Sequence, residues 1–289
     1  MISGPWVRTW KQRMVSYARK KNIAIPAGLR TDTIIWGNKA ELLAKKIKTS
    51  AGIANANGKL DGQLRKILYG MDLNNAGMLP PFLGIDVSNN NGAIDWALIP
   101  DTYKFVYAKA TQGDWFIDTY YAANKEGAQE RGFKFGAYLF LEADTPSGVI
   151  KQVDHFLEIA KYNPATDLLP VLDWENTRNS VVNIPDQAAT LEAAVRYLKN
   201  KIGKYPVIYS NAYVLEANRF SRLSIVGKCP LWISAYGRDD GTRYPNSIPF
   251  VPKPWRGWDI HQYTSAGTVP GIDGHCDINH SAVPMNRLR

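Results

Sequence analysis

The chain has 289 residues, 45% apolar, 21% charged and 11% aromatic, which excludes a disordered polymer and allows one large globular domain with a smaller one beside it. Its net charge of +9 is unevenly placed: residues 1–80 hold 14 Lys and Arg against 4 Asp and Glu, and residues 81–289 hold 21 against 22. No apolar run approaches the roughly 18 residues of a membrane span, and the basic start MISGPWVRTWKQRM has no apolar core behind it, so neither a span nor a secretory signal is expected.

In chain order, apolar residues first recur at helical spacing. Trp6, Trp10, Met14 and Tyr17 step by four or three, then Leu42, Leu43 and Ile47, then Leu60, Leu64, Ile67 and Leu68. Three short helices in residues 1–73 would make a small basic all-α domain. The stretch NNAGMLPP, residues 74–81, gathers turn formers and ends in two prolines that resist helix, so it reads as a linker.

From residue 82 the texture changes to β-rich runs alternating with amphipathic stretches. Strands are expected at 83–87, 105–110, 135–140, 169–174, 206–210, 231–235, 260–263 and 276–279, with helices at 120–131, 147–160 and 187–202. This alternation over residues 82–289 predicts the α/β class: a TIM-like (β/α) barrel, irregular because the later connections are too short for eight helices.

Barrel enzymes place their chemistry where strands end at the C-terminal rim. Four acids fall there: Asp86 in LGIDVS, Asp173 and Glu175 in LLPVLDWE, and Asp277 in GHCDIN. Two positions apart on a strand, Asp173 and Glu175 would share a face with Cα atoms about 6.5 Å apart. Such a group cannot ionise freely, and one carboxyl should keep its proton near neutrality. A protonated carboxyl beside a carboxylate is what glycoside hydrolysis needs. The aromatics Tyr138 and Tyr236 at strand ends suit the apolar faces of sugar rings, whereas Trp174 and Trp232 read at least equally as core.

The ordered series GIDVSNNNGAIDW, FVYAKATQG, GFKFGAYLF, LPVLDWE, PVIYSN, PLWISAY and HQYTSAGTVPGIDGHCDIN resembles the family 25 glycoside hydrolases, lysozymes of the phage-endolysin and fungal type. The resemblance spans residues 82 to about 280. It implies a flattened irregular barrel that cuts the β-1,4 bond between N-acetylmuramic acid and N-acetylglucosamine in bacterial peptidoglycan, with no cofactor and no metal. By motif it implies Glu175 as general acid, Asp173 and Asp86 as residues that orient substrate or stabilise charge, and Asp277 as an accessory acid at the rim. Gln112 stands where the family commonly has Glu, and Leu139 where many members have His. The spacing leaves retaining, inverting and acetamido-assisted routes open.

Two other readings compete. His261, His275, Cys276 and His280 cluster late in the chain, as in a zinc-dependent amidase, but at no standard ligand spacing. A dead barrel serving as a glycan-binding or virion structural protein is the second, against which the intact acid set argues. Cys229 and Cys276 read as buried thiols, with a single bridge left open. The basic residues 1–80, whose NGKLDGQLRKIL stretch resembles wall-binding modules of phage lysins, are expected to face anionic envelope polymers. The alternative is a solubilising extension; nucleic acid is not expected, because no recognition motif accompanies the charge. A monomer is expected, made in the cytoplasm and acting on the wall after release or cell entry.

Overall fold

The computed structural model describes residues 14–15, 18–19, 21–29, 38–52, 82–175, 187–242 and 249–289. The chain divides into two compact units, residues 1–80 and 81–289.

In the first unit, α1 (Asn38–Ser50) buries Ala40, Leu43, Ala44 and Ile47, a stripe at helical spacing. These join Met14 and Ala18 in a small apolar core, against which Ile23, Ile25 and Leu29 pack. Leu42, grouped with Leu43 and Ile47 by sequence, is instead 47% exposed, because one step of the helix carries it off that stripe. The expectations for Trp6, Trp10, Tyr17, Leu60, Leu64, Ile67, Leu68 and the linker lie outside the described residues.

The second unit is an irregular α/β barrel. Its described strands are β1 (Phe82–Val87), β2 (Tyr103–Gln112), β3 (Phe116–Ile117), β4 (Lys134–Phe140), β5 (Val171–Asp173), β6 (Val207–Asn211), β7 (Leu231–Ser234), β8 (Ile260–Gly267) and β9 (Cys276–Ser281). The order β1-β9-β8-β7-β6-β5-β4-β2 is closed by pairing of β1 with β2, and β3 folds back on β2 as a hairpin. All eight barrel strands run parallel except β9, which lies antiparallel between β8 and β1. Helices α2 (Tyr121–Glu130), α3 (Pro146–Ala160), α4 (Gln187–Ile202) and the short α5 (Ala212–Ala217) sit in the connections leading to β4, β5, β6 and β7. The connections after β1, β7 and β8 carry no described α-helix; the one after β8 is short, but residues 235–259 between β7 and β8 are not, so shortness of the later connections does not account for it.

Local sequence explains these elements. Thr145 caps α3 by accepting the Gly148 N–H at 3.1 Å, Pro146 opens the first turn, and the left-handed Lys161 ends it. Val149, Val153, Phe156 and Ala160 face inward from α3, as Leu191, Ala194, Val195 and Leu198 do from α4. Together with Val106, Ala108, Leu139, Leu172 and Ile208 on the outer faces of the strands, they form the main core.

The alternate residues point into the barrel, where Phe105, Tyr107, Val171, Val207, Tyr209, Trp232 and Ile260 make a second core. Met285 and Leu288 belong to it too, and the Leu169 N–H donates to Leu288 O at 2.6 Å, which closes the end of the barrel where the parallel strands begin. Two inward glycines are required by these rings. A Cβ at Gly84 would meet the Phe105 ring at 2.4 Å, and one at Gly136 would meet the Tyr107 ring at 2.1 Å.

Candidate active site

The open end of the barrel holds a cavity of about 190 Å³ lined by Asp86, Lys109, Tyr138, Asp173, Glu175 and Asp277, with Tyr209, Trp232 and Gln262 also in its wall. Strand direction places these groups together. Asp86 and Asp173 stand at the C-terminal ends of β1 and β5. Asp277 stands near the start of β9, whose reversed direction brings it to the same rim, directly opposite Asp86.

Asp86 is buried and held by two amides. Gln262 Nε2 donates to its carboxyl oxygens at 3.1 and 3.0 Å, and Asn279 Nδ2 donates at 2.6 Å. Each amide is fixed in turn. Tyr209 and Tyr236 hydroxyls donate to Gln262 Oε1 at 2.7 and 2.6 Å, and Trp232 Nε1 donates to Asn279 Oδ1 at 2.8 Å. Burial raises the Asp86 pKa to about 6, against the lowering effect of the two amides. Burial, and then the nearby Asp86 charge, raise Asp277 to about 9, so at neutrality Asp277 keeps its proton and hydrogen-bonds Asp86.

Asp173 and Glu175 form a second coupled pair. The strand ends at Asp173, so Glu175 lies just beyond it rather than on it, yet the two carboxyls hydrogen-bond each other. Burial pushes both above the usual range, Asp173 the further, with the Glu175 charge adding to it. In the resting pair Asp173 holds the proton and Glu175, the less buried member, accepts. The Lys109 ammonium pulls both back down.

Trp174, between them, turns the other way. It is fully buried in the main core, its backbone N–H donates to Tyr209 O at 2.9 Å, and its carbonyl accepts from Ser210 Oγ at 2.6 Å. The outward indole thus pins the backbone from which two acids project toward the cleft. Trp232 is likewise core, packed against Tyr107 and Tyr209 with ring centroids 5.1 and 4.8 Å away. Tyr138 lines the cleft, and Tyr236, 41% exposed, reaches it through Gln262.

Of the six residues singled out by sequence, Asp86, Tyr138, Asp173, Glu175 and Asp277 line this one mouth, and Tyr236 joins it through its hydrogen bond to Gln262. Sequence reasoning missed Lys109, Gln262 and Asn279, although inward parity could have found them: Lys109 shares a face with Phe105 and Tyr107, Gln262 with Ile260, and Asn279 with Asp277. Leu139 faces the main core, so that departure from the family does not touch the cleft. Gln112 touches it indirectly, accepting from Lys109 Nζ at 3.0 Å.

The groups of the zinc alternative are not gathered around a common point. His261 Nδ1 and His280 Nε2 hydrogen-bond each other at 3.0 Å, His261 Nε2 bonds Ala235 O at 2.9 Å, and Cys276 Sγ lies 3.8 Å from Asp86 O. His275 is exposed just before β9. Cys229 and Cys276 are both free and buried, and burial raises both thiols.

The sequence profile of the Glycosyl hydrolases family 25 matches residues 85–272. Lysozyme M1 of Streptomyces globisporus is 29% identical over 204 residues, covering 68% of this chain and 66% of that protein. The autolytic lysozyme of Clostridium acetobutylicum is 28% identical over 198 residues, 68% of this chain and 54% of its own length. The chain thus spans just under two thirds of the first and about half of the second. Among solved structures, the bacterial lysozyme from Streptomyces coelicolor superposes with a TM-score of 0.63 at 26% identity, covering 73% of this chain and 96% of that one.

Proposed function

The chain belongs to the Glycosyl hydrolases family 25, and from that premise we propose that it is a muramidase, cutting the β-1,4 bond between N-acetylmuramic acid and N-acetylglucosamine in bacterial peptidoglycan. The observation that carries this reading is the Asp173–Glu175 pair, two hydrogen-bonded carboxyls holding one proton at the mouth of the barrel. Asp173 returns the shared proton to Glu175, the member less buried at the cleft, and Glu175 passes it to the leaving glycosidic oxygen. Asp173 and Asp86 are then carboxylates facing the positive charge that develops at the anomeric carbon. Lys109 limits how far the two acids rise, which eases the release of the proton. Asp277 stays protonated and steadies Asp86, while Tyr138 and Tyr236 present ring faces to the sugars. Glu175→Gln keeps the shape but cannot deliver a proton, and lysis of purified walls should fall at least about 100-fold; near wild-type turnover in a folded variant would overturn the assignment.

Residues 1–80 supply the attachment in this reading. Their excess of Lys and Arg would gather the enzyme at anionic wall polymers and raise the local concentration of its substrate. Joined to the barrel, such a module fits an endolysin-type product that meets the wall after release.

A further inference from the structure

Trp115 is 59% exposed, in the turn between β2 and β3, yet its indole is anchored by a hydrogen bond and a ring contact. Single exposed aromatics are ordinary on protein surfaces; an anchored one at a cleft is not. Its indole Nε1 donates to Glu142 Oε2 at 3.2 Å. The Glu142 backbone is clamped by the buried Gln152, which accepts its N–H at 3.0 Å and donates to its carbonyl at 3.0 Å. The other Glu142 carboxylate oxygen accepts from Gln112 Nε2 at 2.7 Å, and Gln112 accepts from Lys109, whose ammonium lines the cleft. The turn leaves room for the ring: Gly113 has φ +56, and a Cβ there would meet Trp115 Cδ1 at 2.8 Å. Phe116 braces the indole edge-on, centroids 5.6 Å apart.

The hairpin stands on the rim of the cleft. Gln112 pairs in register with Phe140, a cleft-lining residue, and the Gly113 N–H donates to Phe140 O at 3.1 Å. A large flat apolar face held beside a carboxylate and an amide is what a pyranose ring requires, its C–H face on the indole and its hydroxyls on the polar groups. We propose that Trp115 is a sugar-stacking subsite on the β2–β3 hairpin, where a ring of the glycan strand beyond the cleaved bond docks. The identity of the ligand rests on the muramidase reading; the site itself rests on the anchored indole. Gln112 serves as a positioning residue, a neutral bridge that accepts from Lys109 while donating to Glu142.

The test uses the full chain carrying Glu175→Gln, which binds without cutting, titrated calorimetrically with soluble peptidoglycan glycan strands. Adding Trp115→Ala should weaken binding about threefold to tenfold, the range of one aromatic stacking contact. Trp115→Phe should restore most of that loss, and Glu142→Ala, which frees the indole without removing it, should fall between. Equal affinity for the parent and Trp115→Ala, or no binding by the parent, overturns the subsite. The muramidase reading is judged separately, by whether the chain with Glu175 intact cuts the same strands.

Discussion

Four carboxyls crowd one mouth, and their protons are shared in pairs because burial makes four charges too costly. Asp277, raised from an ordinary value of 3.8 to about 9, favours folding fully only below the lower value and loses that contribution as pH rises toward the higher one. Asp277→Asn removes this titration, while its amide can still donate to Asp86. The variant should therefore melt close to wild type at pH 4 and at least about 3 °C higher at pH 9, and should keep more activity than Glu175→Gln. Thermal melts at the two pH values check it; a variant less stable at pH 9 would contradict the assigned proton. Asp86, Asp173 and Glu175 were legible in the sequence because they follow apolar runs at or just beyond strand ends, whereas Asp277 stands near the start of the antiparallel β9 and was found through its motif. Lys109, Gln262 and Asn279 were not legible, since a lysine and two amides look like solvent-facing residues until the closure of the barrel turns their side of the strand inward.

At the scale of elements, the strands were readable because each carries an apolar run facing a core on at least one side. The two-residue β3 and the six-residue α5 were not, being too short to show a period. β8 runs on to Gly267, four residues beyond the expected stretch, because pairing with β9 extends it through Thr264 and Gly267. The first unit shows the limit of spacing alone: Leu42 fits an apolar cluster by composition but lies off the stripe set by Ala40, Leu43 and Ile47. Packing inside the barrel depends on glycine where β4 passes β2. Gly136→Ala would drive a methyl into the Tyr107 ring, whose hydroxyl donates to Leu169 O at 3.3 Å within a filled interior. Denaturant unfolding should show a loss of about 1–3 kcal/mol; an unchanged midpoint would mean that the ring has space the structure does not show.

For the whole molecule, the division of charge predicts behaviour that neither unit would show alone. Exposed charges are screened over about 8 Å at physiological ionic strength, so sedimentation of the full chain with purified walls should weaken sharply as salt rises. Replacing the exposed Lys39 and Lys45 of α1 by Glu should weaken it further at low salt; retention indifferent to both salt and these changes would replace charge with a specific pocket. The central claim concerns the bond that is cut. Purified peptidoglycan digested by the chain, followed by mass analysis of the new ends, should show N-acetylmuramic acid at the new reducing termini, and Glu175→Gln should produce almost none. New reducing ends at N-acetylglucosamine, or freed amino groups without any new reducing end, would contradict it.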